Sequence, residues 1–231
     1  MLFDDYKVTD PEYAGILNEF ACREVSEEGT TQLNGNDRWL AILATLLGCQ
    51  GKEAFALVLK EALQNGLTAV EAREVVYQAT DYLGIGRVMP FVNVMNDVFK
   101  NEGIALPLAP QATVTAENRL EKGVATQVEI FGDRMKEAWK AGTINKWLGD
   151  NCFGDYYTRT GLELRQRELI TFCFLAGQGG CEPQLTSHAK GNMNLGNSAE
   201  YLKRVVLQCV PYIGYPRSLN ALRCIQEATE K

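Results

Sequence analysis

One short segment, GGCEPQLTSHAKGN at residues 179–192, holds the side-chain types that acid–base or thiol chemistry needs. His188 is the only histidine of the chain, and Cys181 lies seven residues before it. Pro183 suits the first turn of a helix, where its missing N–H would have no partner. If Cys181 continues the geometry of that helix, then Cys181, Gln184 and His188 share one narrow stripe. The stripe predicts a site in which His188 exchanges protons near neutral pH.

Cys181 gives this stripe a second chemistry. A thiol near a helix N-terminus is expected to have a lowered pKa, because the helix dipole favours the thiolate. Structural interpretations stay open for both residues at this point. A single histidine is often structural, and a lone cysteine often behaves as a small buried hydrophobe.

The preceding segment, NCFGDYYTRTGLELRQREL at residues 151–169, is unusually rich in polar and aromatic side chains for a connector. Four of these side chains could donate hydrogen bonds to an anionic substrate: Tyr156, Tyr157, Arg165 and Arg167. The segment could equally be a packed loop with surface arginines. Glu168 opens the apolar helix that leads to Cys181. It could pair with His188 or with an arginine, or remain exposed in the first turn of that helix.

An internal repeat indicates which elements position these residues. When Gly66–Pro90 is placed over Gly196–Asn220, eight of 25 positions are identical without any shift in register. The shared ending Tyr-x-Gly-x-x-Arg is not explained by helical periodicity alone. The chain is therefore predicted to contain two copies of one unit. The same register places Val58 opposite His188, so only the second copy carries the candidate site.

Each copy is predicted to be helical, and no segment shows the sustained alternation of a strand. The predicted helices of the first copy cover residues 11–27, 38–47, 52–64, 68–82 and 87–100. Those of the second cover residues 117–141, 167–176 and 183–195, then a stretch from 198 to 212 and another from 217 to 229. Thr68 and Glu71 form a predicted capping box. Residues 106–115, with two prolines, read as a linker.

Composition limits the function classes. A net charge of −6 and a pI of about 5.0 argue against nucleic acid or an acidic membrane as a partner. The N-terminus lacks the pattern of a signal peptide, and no apolar run is long enough to span a membrane. Seven scattered cysteines without CxxC spacing, together with one histidine, predict neither a disulfide framework nor a zinc site. We expect reduced thiols, a cytoplasmic location, and no metal or cofactor.

The pattern RELITFCFLAGQGGCEPQLTSHAKGNMNLGN, followed by a helix and YIGYPRSLNALR, resembles the carboxymuconolactone decarboxylase family. The resemblance is strong over residues 117–231 and weaker over 38–100. It implies an all-α fold of two tandem helical repeats of the alkylhydroperoxidase D-like type. The implied units are residues 1–104 with a degenerate site, a linker at 105–116, and residues 117–231 with the candidate active site. It also implies a ring assembly, here a homotrimer with six pseudo-equivalent units.

Two chemistries occur in the wider family. One is decarboxylation of 4-carboxymuconolactone, and the other is a thiol peroxidase activity with a Glu…Cys-x-x-Cys-x-x-x-His motif. The resemblance places Cys181 on the first cysteine and His188 on the histidine, but Gln184 stands on the second cysteine. The glutamate of that motif falls on Leu169, one residue after Glu168. The broken dithiol argues against peroxide reduction through an intramolecular disulfide.

We therefore expect a decarboxylase-like enzyme that acts on a small carboxylated lactone or a related ring compound. His188 is the predicted general acid/base, together with Cys181 and Glu168 as the other catalytic candidates. The predicted substrate-binding residues are Gln184, Glu182, Arg165, Arg167, Tyr156 and Tyr157, with the two arginines as carboxylate holders. A peroxidase that uses Cys181, with Cys152 or Cys173 as a partner thiol, remains one alternative. A non-catalytic ring that binds a small ligand remains the other.

Overall fold

The computed structural model describes residues 1–27, 32–33 and 35–230, and the described residues are helical with no β-strand. The α-helices are α1 (Pro11–Leu17), α2 (Val25–Glu27), α3 (Asp37–Gly48), α4 (Lys52–Gln64), α5 (Ala69–Leu83), α6 (Ile85–Asn101), α7 (Arg119–Phe131), α8 (Thr143–Trp147), α9 (Leu164–Gln178), α10 (Glu182–Asn194) and α11 (Ala199–Thr229). Asn18–Glu24 and Leu148–Tyr156 are π-helical, and short 3-10 turns cover Asp4–Lys7, Asp133–Met135 and Ala138–Ala141. The prediction of an all-α fold is confirmed.

Local sequence signals fix most helix ends. Thr68 and Glu71 form the predicted capping box at the start of α5. Ser198 caps α11 by accepting a hydrogen bond from the backbone N–H of Tyr201. Gly84 ends α5 with a φ of 79°, and Gly214 interrupts α11 with a φ of 73°. The predicted breaks after residues 82 and 212 are therefore present.

The two halves of the chain share one hydrophobic core instead of forming separate bodies. The core cluster contains residues of α3, α4, α5 and α6 together with residues of α9, α10 and α11. Two glycines let α3 and α9 approach closely. A Cβ atom on Gly48 would lie 2.5 Å from the carbonyl oxygen of Phe174, and one on Gly177 would lie 2.5 Å from that of Thr45. Side chains of one half can therefore reach the other half.

Helix bounds recur in the register of the internal alignment. When Gly66 is placed over Gly196, both ends of α4 coincide with those of α10, and α5 begins where α11 begins. One prediction for the second copy was wrong. The helix predicted for 117–141 ends at Phe131, because Gly132 has a φ of 86°. The first six residues of segment 151–169, which is unusual in composition for a connector, continue the π-helical stretch, in which Gly154 packs against α7.

No helix in the described part of the chain is long and apolar enough to cross a membrane.

Candidate functional site

His188 on α10 and Glu168 on α9 form a hydrogen-bonded pair. The distance from His188 Nδ1 to Glu168 Oε2 is 2.9 Å, and the Glu168 side chain is fully buried. Glu168 lies in the second turn of α9, so the exposed first-turn alternative is wrong and the predicted pairing with His188 is present. With the carboxylate ionised, Nδ1 carries the proton and Nε2 of the neutral ring is the free acceptor.

The other face of the Glu168 carboxylate receives a buried hydroxyl group. Tyr157 donates its phenolic hydrogen to Glu168 Oε1 at 2.7 Å. The Tyr157 oxygen lies 2.6 Å from Thr171 Oγ1 and 2.8 Å from the hydroxyl oxygen of Tyr82. Gln78 in turn donates to Thr171. Each carboxylate oxygen thus accepts a hydrogen bond, an arrangement that stabilises a buried negative charge.

Two aromatic rings fix the plane of the imidazole. Tyr82 and Phe131 each meet the His188 ring edge-to-face, with centroid distances of 5.5 Å. The His188 side chain is 11% exposed. Its Nε2 atom makes no hydrogen bond to a described residue and is not among the buried unpaired atoms, so this nitrogen remains open to solvent. Glu168, Tyr82 and Phe131 hold the imidazole in place, and Nε2 is the ring nitrogen that has no protein partner among the described residues.

Gly191 on α10 allows the Glu168 carboxylate to come close to this helix. A Cβ atom on Gly191 would lie 2.7 Å from Glu168 Oε2 and 3.0 Å from the Phe131 ring. Glycine is therefore required where the carboxylate meets the helix. The buried Asn192 amide donates to the backbone carbonyls of Glu168 and His188 at 2.8 Å each and ties α9 to α10.

Cys181 does not join the stripe that the spacing suggests. It is the N-cap of α10 with φ −139° and ψ 39°, so it does not continue the helical geometry. Its thiol donates to the carbonyl oxygen of Leu175 at 3.5 Å and receives a hydrogen bond from Gln178 at 3.8 Å. Burial raises the pKa of the Cys181 thiol, although Gln178 and Arg217 oppose the shift. The prediction of a lowered pKa was wrong, because desolvation outweighs the helix dipole here.

Gln184 is exposed and no described hydrogen bond connects it to His188. Glu182 lines a surface cavity, and its backbone carbonyl accepts a hydrogen bond from Cys224. Tyr156 faces Asp81 and Thr80, and burial raises its pKa. The predicted set of substrate-binding residues is therefore scattered. Only Tyr157 joins the pair of Glu168 and His188, and it does so as a buried support.

Both predicted carboxylate holders are already engaged. Arg167 is fully buried, and its guanidinium contacts Glu74, Gln78 and two backbone carbonyls. Arg165 binds Asp37 at 2.7 Å and Asn197 at 2.9 Å. Neither guanidinium is free of protein partners, so the geometry gives no support to the carboxylate-binding role predicted for these two arginines.

A cavity of about 730 Å³ lies between α10, the last turns of α11 and Phe131, and its lining includes neither Glu168 nor His188. Its lining includes Phe131, Arg134, Glu182, Ser187, Lys190 and Arg223. Phe131 both lines this cavity and packs on the His188 ring, so the two are neighbours. The volume suits a small molecule. Among the described residues, no group of three or more His, Cys, Asp and Glu side chains could hold a metal ion.

Sequence reasoning missed the contributions of Tyr82, Thr171, Phe131 and Gly191. Tyr82 is the least expected, because it belongs to the first copy and lies on α5. Its identity with Tyr212 in the internal alignment was a signal, but one that indicates duplication and not proximity to His188. The other three carried no signal, because an aromatic ring, a threonine and a helical glycine are common in any core.

Comparison with known proteins relates part of this chain to one family. Residues 143–227 match the sequence model of the carboxymuconolactone decarboxylase family, and this range contains Tyr157, Glu168 and His188. A 4-carboxymuconolactone decarboxylase from Acinetobacter baylyi is 26% identical over 117 residues, which cover 48% of this chain and 87% of that protein.

Structural similarity extends over both halves. A crystal structure described as a gamma-carboxymuconolactone decarboxylase subunit from Burkholderia xenovorans aligns with 99% of this chain and 90% of its own, with a TM-score of 0.53 and 19% identity. At this identity the likeness establishes the fold alone. The likeness in fold therefore extends to the first half of the chain, outside the range 143–227 that the family's sequence model matches.

Proposed function

We propose that this protein is an acid–base enzyme that decarboxylates a small carboxylated lactone or a related ring compound, with His188 as the proton donor. The observation that carries the proposal is the Glu168–His188 pair, with Nδ1 held at 2.9 Å and Nε2 open to solvent. The family match and the name of the Acinetobacter relative support decarboxylation over other acid–base reactions.

The proposed reaction balances in two steps. The substrate carboxylate leaves as carbon dioxide, and the electron pair of the broken carbon–carbon bond moves into the conjugated lactone carbonyl. Protonated His188 then delivers the Nε2 proton to carbon and restores the lactone. One proton from water returns His188 to its starting state, so each turnover consumes one proton. The Glu168 carboxylate stabilises the imidazolium that exists between turnovers.

We propose that the substrate binds where Phe131 separates His188 from the cavity, and that Lys190 and Arg134 in the cavity attract its carboxylate. Both cations line the cavity, and neither forms an ion pair with a described residue. Lys190 and Arg134 thus take the carboxylate-binding role first predicted for Arg165 and Arg167. The guanidinium groups of those two arginines already bind Asp37 and Glu74. Lys190→Gln should raise KM with little change in kcat, whereas Lys60→Gln, at the equivalent exposed position of α4, should change neither.

The test of the function follows the absorbance of 4-carboxymuconolactone with wild type and His188→Gln. We expect turnover by the wild type and a loss of roughly 10²- to 10⁴-fold in kcat for the variant. Circular dichroism and thermal melting check that the variant is folded. A wild-type protein without turnover rules out this substrate. Ligand binding without turnover would favour the non-catalytic alternative.

We also propose that copies of the chain assemble into a ring, a homotrimer of tandem repeats. Four exposed apolar side chains support it: Ile85 and Met89 on α6 align with Tyr215 and Leu219 on α11 in the internal repeat, with exposures between 57% and 67%. Pseudo-equivalent apolar patches on both repeats are the surfaces that a ring of alternating repeats would bury.

Light scattering after gel filtration tests the assembly. The wild type should elute as a trimer, and Met89→Glu combined with Leu219→Glu should produce a smaller species. Ile16→Glu is the control, because Ile16 is also exposed but its equivalent in the second repeat is Lys146. A wild-type monomer would contradict the proposal.

A further inference from the structure

We propose that Tyr82, a residue of the first repeat, is a positioning residue for His188 in the second repeat. The inference rests on the proposed function of His188 in proton transfer. The repeat that lacks a histidine would then still contribute to the site of its neighbour.

Tyr82 restrains His188 through both its ring and its hydroxyl group. Its ring meets the imidazole edge-to-face and stacks on Phe174 with centroids 6.1 Å apart. The interplanar angle of 83° against His188 directs one ring at the other and blocks rotation of the imidazole. The hydroxyl group reaches Tyr157, the residue that donates to Glu168. One side chain thus touches the proton donor and the support of its carboxylate partner.

The number of available hydrogens fixes the direction of each hydrogen bond in the series that we call the hydrogen-bond chain, which runs from Cys152 through Tyr82 and Tyr157 to Glu168. A tyrosine has one hydroxyl hydrogen, and that of Tyr157 is given to Glu168. The Tyr157 oxygen therefore accepts, and Tyr82 must donate to it across 2.8 Å. Cys152 donates its S–H to the Tyr82 oxygen at 3.8 Å. Every donor from Cys152 inward points towards Glu168, so the chain favours a carboxylate that accepts the Nδ1 proton of His188.

The outer end of the chain is Asp81, the neighbour of Tyr82 in sequence. Asp81 lies close enough to Cys152 to interact with its thiol, and its Oδ2 atom is buried with no partner in the described part of the protein. Burial raises the pKa of Asp81 to about 8, and nearby Asp155 adds to the shift. Asp81 is therefore neutral at pH 7 and places no second negative charge beside the chain. Its ionisation would attract the Cys152 hydrogen and withdraw the donor from Tyr82.

The experiment uses the fact that the chain has a single histidine. Ring ¹⁵N chemical shifts of the neutral imidazole report which nitrogen carries the proton, with no substrate present. We expect the wild type to hold the proton on Nδ1. Tyr82→Phe keeps the ring contacts but removes the hydroxyl group. It should shift part of the population to the Nε2–H form and lower kcat about tenfold with little change in KM.

The matched control is Tyr77→Phe, the same substitution on the same helix, at a ring that packs on Arg73 and Arg159. It should change neither the tautomer nor kcat. An unshifted tautomer and an unchanged kcat in Tyr82→Phe would overturn the proposal. So would a wild type with its proton on Nε2, a measurement that needs no variant. A shifted tautomer in a protein without turnover would support the positioning role while contradicting the proposed substrate.

Discussion

The surroundings of His188 on α10 and of Val58 on α4 occupy equivalent places in the two repeats, yet only one is polar. Val58 is fully buried in the shared core. The residue equivalent to Glu168 is Arg38, whose Nε donates to Gln208 at 2.7 Å. The first repeat thus has neither the imidazole nor the acid. It keeps the helices, so the fold does not depend on the residues to which we assign the proposed chemistry.

Residues that are identical in the two repeats near these positions pack the core or connect distant segments of the chain by hydrogen bonds. Gln78 donates to the backbone carbonyl of Arg167, and its equivalent Gln208 donates to that of Val25. Each amide ties a long helix to a distant segment of the chain. Tyr82 is the exception. It is common to both repeats, like the residues that serve packing, and yet it contacts the His188 ring of the candidate site. The contrast predicts that substitutions in the second repeat affect activity and that matched substitutions in the first affect stability.

The largest expected effect is that of Glu168→Gln. Glutamine keeps the shape but can offer an amide N–H to Nδ1, which would turn the imidazole to the wrong tautomer. We expect kcat to fall by roughly 10²- to 10⁴-fold. The matched change Arg38→Gln should leave kcat within about twofold. Steady-state kinetics with thermal melting of both variants checks the contrast, and equal losses of activity would break it.

Gly191→Ala should have the next largest effect. In most helices alanine is preferred to glycine by about 1 kcal/mol. Here the added methyl group would lie 2.7 Å from Glu168 Oε2, so the carboxylate must move away from His188. We expect a loss of about 10- to 100-fold in kcat. Gly15→Ala on α1, where a Cβ meets nothing within 4 Å, is the control. Full activity in Gly191→Ala would show that the Glu168–His188 distance is not critical.

Asp81 predicts a pH dependence that its counterpart in the other repeat lacks, because the equivalent residue is Pro211. Its folded-state pKa is about 8 against a reference value of 3.8, so the folded protein keeps a proton that the unfolded chain loses. The associated stability is fully present below about pH 4 and is lost as the pH rises to about 8. Groups facing Asp81 are Cys152, Asp155 and Tyr156.

Asp81→Asn should therefore gain stability over wild type between about pH 5 and 8, on the order of 4 kcal/mol at about 1.4 kcal/mol for each pH unit. Urea unfolding at both pH values measures the difference. Asp97→Asn, at an exposed position of α6, should show no such gain. If wild type and Asp81→Asn respond identically to pH, then Asp81 does not retain its proton on folding.

The smallest expected effect is that of Cys181→Ser, whose equivalent is Gly51. The thiol has a raised pKa and bonds to Leu175 and Gln178 instead of His188. We expect decarboxylation to change by less than about twofold. Peroxide consumption should match that of free cysteine in wild type and be unaffected by the variant. A fast peroxidase reaction that Cys181→Ser abolishes would instead favour the thiol alternative.

The sequence by itself determined the features that depend on neighbouring residues. Capping at Thr68, the breaks at Gly84 and Gly214, and the bounds of α4 all follow from interactions within a few residues. The internal alignment also identified which repeat has the histidine. These signals are local, and the structure realises them with little change.

Only the tertiary structure decided which side chains meet. Cys181 left the predicted stripe because its backbone is not helical, a detail that residue spacing does not encode. Arg167 lies in the core, where it contacts Glu74. Glu168 reaches His188 because α9 packs on α10. Tyr82 and Tyr157 are 75 residues apart in the chain. Contacts of this kind depend on how the two repeats pack on each other, because the shared core brings distant segments together.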